Sequence, residues 1–234
     1  MILGHIGARQ GSKGVVGKNF REINGKPLID WSLDMLLAHP LIDQVVVSTD
    51  DEQMYEHSVA KGALEIGLRP AELATDAAPK WGVWQHALSA SEAITGQDVE
   101  AFLDLDCTNP LRIPEDITGA LSLYQAENPD MVMSVCEARK NPYFNLVEPD
   151  ENGALQVSKQ LSGGVWARQA APVVYEHVGC VYVVAPAYLK RAKTLYEGRV
   201  LPYEIPSVRG FDIDEPHDFG LVEYLLKELQ NGRL

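Results

Sequence analysis

Cysteine is scarce in this 234-residue chain, where Cys107, Cys136 and Cys180 are the only three. An odd count with no C-x-x-C spacing excludes a disulfide framework and points to buried or free thiols in a reducing compartment. Long apolar runs are missing as well. No stretch approaches the ~18 residues of a membrane span. The start of the chain has no basic region followed by a long apolar one, so a cytoplasmic location is expected. Cations are outnumbered, with 20 Lys and Arg against 33 Asp and Glu and a formal net charge of −13. A field of that sign repels polyanions, which excludes nucleic acid and the membrane surface as partners. Repeats and low-complexity tracts are also absent, and the 46% hydrophobic content is that of an ordinary globular chain.

Against the acidic average stands one basic, glycine-rich stretch. "HIGARQGSKGVVGKN" (5–19) carries Gly7, Gly11, Gly14 and Gly17 with Arg9, Lys13 and Lys18, directly after the apolar start "MILGHI". Such a loop lets backbone N–H groups approach a phosphate closely while its cations neutralise charge. It is not a P-loop: Gly11 and Gly17 are one residue too far apart, and Asn19 stands where Ser or Thr would hold magnesium. The G-x-G-x-x-G fingerprint fails too, because no two of these glycines give the G-x-G start.

Hydrophobic periodicity predicts a strand at 1–6, a helix over 28–37 opened by Pro27, and a buried strand in "DQVVVSTDD". It continues with a helix over 51–61, a short strand over 63–67, a helix in "WGVWQHALSASEAI" and a strand in "EAFLDLDCT". A helix from Pro114 and a strand in "DMVMSVCEA" follow. This alternation predicts an α/β fold with a mostly parallel, Rossmann-like sheet and helices on both faces. Ligands gather at the carboxyl ends of strands in such sheets. Residues 8–19, 48–51 and 104–112 are the polar stretches that fall there. Over 138–171 the alternation breaks into turn signals and exposed aromatics, and an excursion such as a hairpin or dimerisation arm is expected. A strand in "GCVYVVAP", a helix over 186–196, a strand in "RVLPYEIP" and a helix over 216–229 close a single domain spanning 1–234.

Six segments carry a resemblance. "ARQGSKGVVGKN" (8–19), "VVVSTDDEQ" (45–53), "LRPAELATD" (68–76), "DCTNPLR" (106–112), "RQAAPVVYEHVGCVYVV" (168–184) and "FDIDEPHDF" (211–219) run collinearly along the chain. They resemble, in the same order, the signature segments of the acylneuraminate cytidylyltransferases, the CMP-sialic acid synthetase family. The resemblance implies a sheet of the nucleotide-diphospho-sugar transferase type and a Mg2+-dependent reaction of CTP with a 2-keto sugar acid, giving a CMP-sugar and pyrophosphate. It implies that Arg9 and Lys18 stabilise the triphosphate, in a nucleotide site with Ala8, Gln10, Gly11, Ser12, Asn19, Arg69, Asp76, Asp106, Thr108 and Arg112. Lys80, beside the Trp81/Trp84 pair, is a further candidate to face the nucleotide. Asp212 and Asp214 match the metal-binding pair, and alternate strand residues point to one face. Arg168, Gln169, Tyr175 and Tyr182 match the sugar side, and a homodimer is implied.

Two departures bear on the substrate. Asp106 stands where the sialic acid enzymes often carry Gln, and the sugar-reading R-x-N-G run is here Glu176-His177-Val178-Gly179. These changes favour a related acceptor such as a legionaminic, pseudaminic or deoxyoctulosonic acid. A same-fold nucleotidyltransferase with another base or sugar, and a catalytically inactive nucleotide-binding protein, are the other readings. The histidines, His5 among them, are expected in neutral packed or surface roles. The Trp81/Trp84 pair is expected in a core or an interface.

Overall fold

The computed structural model describes residues 1–11, 14, 15 and 17–234. Two tiny strands, β2 (Glu22–Ile23) and β3 (Lys26–Pro27), follow the loop after β1 (Ile2–Gly7) and pair with each other. Then come α1 (Leu28–Ala38), β4 (Gln44–Ser48), α2 (Glu52–Lys61), α3 (Lys80–Thr95), β5 (Ala101–Asp104), α4 (Pro114–Glu127) and β6 (Met131–Glu137). The second half contains β7 (Val147–Pro149), β8 (Leu155–Val157), β9 (Tyr175–Val184), α5 (Pro186–Arg191), β10 (Val200–Glu204) and α6 (Asp218–Gln230). Six strands form one sheet in the order β10-β6-β9-β5-β1-β4. Five run parallel, and β9 lies antiparallel between β5 and β6.

Strand alternation divides the core. Leu103 and Val183 face α1 and α4 on one side, whereas Phe102 and Val184 face α3 and α5 on the other. Trp84 and Phe102 are fully buried in the second layer, as the expected core role of the tryptophans requires. Each side chain buried this way contributes about 1.5–3 kcal/mol. A third cluster packs α6 (Phe219, Val222, Leu226) onto Leu28, Leu111 and Ile213. It holds the chain's last segment against the end of the sheet where β1, β4 and β5 terminate.

Residues 63–67 do not form the expected strand. They run beside β4 with one backbone bond, Leu64 N–H to Val45 C=O at 2.7 Å, because the chain leaves the sheet edge for the loop ahead of α3. The helix expected over 186–196 stops at Arg191. β9 starts earlier than expected and contains a register irregularity opposite Met133–Val135. There the buried hydroxyl of Ser134 donates to Val178 C=O (2.6 Å) and accepts from Val181 N–H (2.9 Å), replacing the lost ladder bonds.

Between β6 and β9 lies the excursion, which contains the β7–β8 hairpin. Its turn is fixed by Asp150, which accepts from the N–H groups of Asn152 and Ala154, and by Gly153 at φ 82°. Apolar side chains stand in solvent along it: Leu155 is 71% exposed and Trp166 is 90% exposed.

A buried ion pair secures the end segment. The Arg209 guanidinium grips both oxygens of Asp116, and Asp116 also accepts from Ile113 N–H to cap α4. Truncating Asp116 to Ala leaves a buried guanidinium without its counter-charge. The variant should lose about 3–5 kcal/mol in chemical denaturation, far more than a surface substitution.

Candidate active site

At the carboxyl ends of β1, β4 and β5 lies a cleft of about 290 Å³, lined by polar groups that include Arg9, Arg69, Asp76, Lys80 and Asp106. An open groove continues from it past Gln10, Gly11 and Asp50, sharing Arg9, Thr75 and Asp76 with the cleft. Strand ends place these groups. Gln10 N–H bonds Asp50 just beyond β4 (2.9 Å), and Arg9 pairs with Asp76 from the loop ahead of α3. Arg69 reaches back to Ser48, with Nε to Oγ at 3.0 Å and Nη2 to the carbonyl at 2.5 Å.

A chain of charged and polar groups forms the floor. Lys80, at the start of α3, places Nζ 2.5 Å from Asp106 Oδ1 and 2.9 Å from Asp104 Oδ2. The same ammonium lies 4.3 Å above the Tyr182 ring and 5.1 Å from the Trp84 ring. Behind it, Asp104 Oδ1 meets His5 Nδ1 at 2.5 Å, and both residues are 0% exposed. In front, Asp106 Oδ2 accepts from the Tyr182 hydroxyl (3.3 Å), which also meets His177 Nε2 (2.8 Å). Burial opposes the charge on Lys80, but Asp104 and Asp106 outweigh it and push the ammonium above its ordinary range. Burial likewise opposes ionisation of Asp104, yet Lys80 and His5 bring the carboxyl down to about 2. Burial raises the Tyr182 phenol well above its usual value, so it stays neutral.

The amino-terminal loop and the carboxyl-terminal acidic pair converge. Lys18 Nζ donates to Ile213 C=O at 2.7 Å, between Asp212 and Asp214. Ile213 N–H in turn bonds Thr108 C=O at 2.9 Å, tying the segment to the end of β5. Gly14 lies so close that a Cβ there would overlap the carbonyl oxygen of Asp214. Among the described residues, one buried carboxylate oxygen of Asp212 has no hydrogen-bond partner. Its carboxyl is raised to about 6, first by burial and then by the charges of Asp106 and Asp214. An orphaned oxygen among like charges is a fit for a cation. Among the described residues, however, no third His, Cys, Asp or Glu completes a cluster around the pair.

Other expected site residues are placed differently. Arg112 is 2% exposed, and its guanidinium is spent on Cys180 C=O, Ser32 Oγ and Asp106 C=O. It braces the cleft from behind and does not face it. The Ala8 side chain belongs to the core, and its N–H is committed to Ser48 C=O. Asn19 is buried, bonding Arg9 C=O (3.2 Å) and accepting from the Cys107 thiol (3.1 Å), so it holds the loop's shape. Arg168 and Gln169 lie on an exposed single turn near the end of the excursion. Tyr175 points its hydroxyl toward Glu204 (3.4 Å). None of these three lines the cleft, and of the expected sugar-side group only Tyr182 adjoins it. Ser12 and Lys13 lie outside the described residues. His5 and Asp104 are the site members that sequence reasoning missed. The available signal was the D-x-D spacing of Asp104 and Asp106 at a strand end.

This chain resembles known proteins along most of its length. The family model described as Cytidylyltransferase matches residues 4–203, which includes the loop, the cleft and the floor. The chain is 33% identical over 227 residues to post-translational flagellin modification protein B of Campylobacter coli, covering 97% of this chain and 95% of that protein. It is 34% identical over 225 residues to the CMP-N,N'-diacetyllegionaminic acid synthase of Campylobacter jejuni, with 96% and 94% covered. The N-acylneuraminate cytidylyltransferase of Streptococcus agalactiae is 29% identical over 97% of this chain, which spans 55% of that longer protein. Among solved structures, CMP:2-keto-3-deoxy-manno-octonic acid synthetase complexed with CTP has a TM-score of 0.70 at 18% identity, with 97% and 99% covered, and shares the fold. By its sequence match and its relatives over nearly full length, this chain belongs to the cytidylyltransferase family.

Proposed function

We propose that this chain joins CTP to a 2-keto sugar acid of the nonulosonic class, releasing pyrophosphate. The observation that carries the reading is the Lys18–Ile213 bond, which brings the basic loop and the Asp212/Asp214 pair to one end of the sheet. In this reading Arg9 and Lys18 meet the phosphates, and the backbone of Gln10 and Gly11 borders the groove that would carry them. Arg69, Asp76 and Lys80 surround the nucleoside, and Asp106 accepts a hydrogen bond from a donor group such as the amino group of cytosine. The anomeric hydroxyl of the sugar attacks the α-phosphorus while the bond to pyrophosphate breaks. Developing charge on the departing oxygens is where fixed cations count most. Arg112 and Asn19 act from behind by holding Asp106 and the loop in place.

Asp212 and Asp214 would hold Mg2+, the nucleotide phosphates completing its coordination. Bound there, the ion neutralises phosphate charge and makes a neighbouring hydroxyl easier to deprotonate. For the acceptor, the altered run Glu176-His177-Val178-Gly179 and the near full-length likeness to a legionaminic acid synthase both favour an N-acylated relative of neuraminate over N-acetylneuraminate itself. The exposed apolar excursion supports a homodimer, in which Arg168 and Gln169 would approach the partner's cleft. The reducing-compartment cysteine pattern supports a cytoplasmic enzyme.

Pyrophosphate release should be seen with CTP and a legionaminic-type acid, and should be at least about tenfold slower with UTP. Turnover of UTP or GTP but not CTP refutes the reading. Lys18→Ala should lower kcat by about 10²–10³. Because the Asp212 carboxyl is raised in the folded chain to about 6 from an ordinary 3.8, its ionisation weakens folding. That cost is absent below about pH 4 and complete above pH 6. Asp212→Asn should therefore be more stable than the parent chain at pH 7, by on the order of 2 kcal/mol, and equally stable at pH 4. Denaturation at both pH values checks this, and Mg2+ should raise the Tm of the parent chain but not of the variant. Light scattering should give twice the chain mass of 25.8 kDa.

A further inference from the structure

We infer that Asp104 and His5 are positioning residues for the cleft, acting on bound substrate through Lys80 and Asp106. For the identity of that substrate the inference rests on the reading above. Both residues are 0% exposed; Asp104 does not line the cleft, and His5 borders it from the buried side. Their contacts run one way. His5 Nδ1 fixes one oxygen of Asp104 at 2.5 Å, and the other oxygen faces Lys80 Nζ at 2.9 Å. Lys80 then meets Asp106 at 2.5 Å, and Asp106 lines the cleft.

A lysine side chain has four rotatable bonds and does not hold one position unless it is anchored. Here a carboxylate on each side and two aromatic rings beneath fix the ammonium. The anchored ammonium fixes Asp106, which also bonds Tyr182 and keeps its N–H on Gly179 C=O (3.2 Å). Asp106 is thereby kept as an acceptor with a set orientation, which discriminates strongly between substrates that do and do not offer a donor. Packing alone does not account for the buried pair. Apolar residues of similar volume fill such sites at least as stably, and the remaining residues of β5 are Ala101, Phe102 and Leu103.

The test is a double-mutant cycle read as steady-state constants for CTP and the sugar acid. Lys80→Met should raise KM for at least one substrate by about 10–100-fold. Asp104→Asn should raise the same KM by about 5–10-fold, with kcat within about twofold of the parent. In the Lys80→Met background, Asp104→Asn should add nothing. His5→Asn, whose amide N–H can stand in for Nδ1–H, should keep KM near the parent value, and His5→Leu should raise it. The His5 pair decides the question if Asp104→Asn does not fold. Additive effects in the cycle, or a fall in kcat or stability with KM unchanged, would overturn the inference while leaving the CTP reading intact. A parent chain that releases no pyrophosphate from CTP overturns both.

Discussion

The convergence of the basic loop and the acidic pair depends on one long-range contact, the hydrogen bond from the Lys18 ammonium to the carbonyl of Ile213, 195 residues further along the chain. It joins the loop after the first strand to the segment before the last helix, and with Gly14 against Asp214 it brings cations and carboxylates to one end of the sheet. The third core cluster makes the contact durable. Ile213 is itself buried beneath α6, so the carbonyl that Lys18 grips belongs to a fixed piece of backbone. The Arg209–Asp116 pair secures the same segment from its other side. Three kinds of interaction thus converge on residues 209–214: an apolar cluster, a buried ion pair and a loop contact.

The charges of the site are arranged in compensated sets. Arg9 is paired with Asp76, and Lys80 lies between Asp104 and Asp106. In a chain of net charge −13, this explains how a basic loop persists at the surface of an acidic protein. Beside the groove, Arg9 holds an acidic partner at the surface, where another anion can compete for it. The Lys80 set is different in kind, because one of its two partners is fully enclosed and cannot be exchanged. Electrostatic preorganisation of this sort lowers the reorganisation needed when substrate arrives.

Much of this was legible in the sequence. The β-α alternation gave the sheet and its helical layers, since period-2 and period-3.6 patterns are local. The collinear segments gave the loop, Arg69, Asp76 and Asp106 at the cleft, and Lys80 is marked by its place beside the Trp81/Trp84 pair. What local patterns do not carry is direction and partnership. β9 reads as a buried apolar strand whether parallel or antiparallel, and its orientation is decided by the excursion that precedes it. Arg112 reads as a surface or ligand-facing cation, yet three oxygens from distant positions, among them Ser32 Oγ and Cys180 C=O, draw it inward. His5 and Asp104 are 99 residues apart and meet only because β1 and β5 are neighbours in register. Arg168, Gln169 and Tyr175 follow the family pattern in sequence but stand away from the cleft of their own chain.

Gly179 couples two positions that a linear reading treats as independent. A methyl group there would occupy the space of the Asp106 carboxylate, and the same stretch of backbone donates and accepts at the irregularity in β9. The size of the acceptor at 106 and the bareness of 179 therefore form a single steric unit. Changes of substrate preference at this floor would have to proceed through smaller groups at 106 before anything larger than hydrogen could appear at 179. Across related chains the two sites should drift together, whereas the solvent-facing excursion is free to diversify on its own.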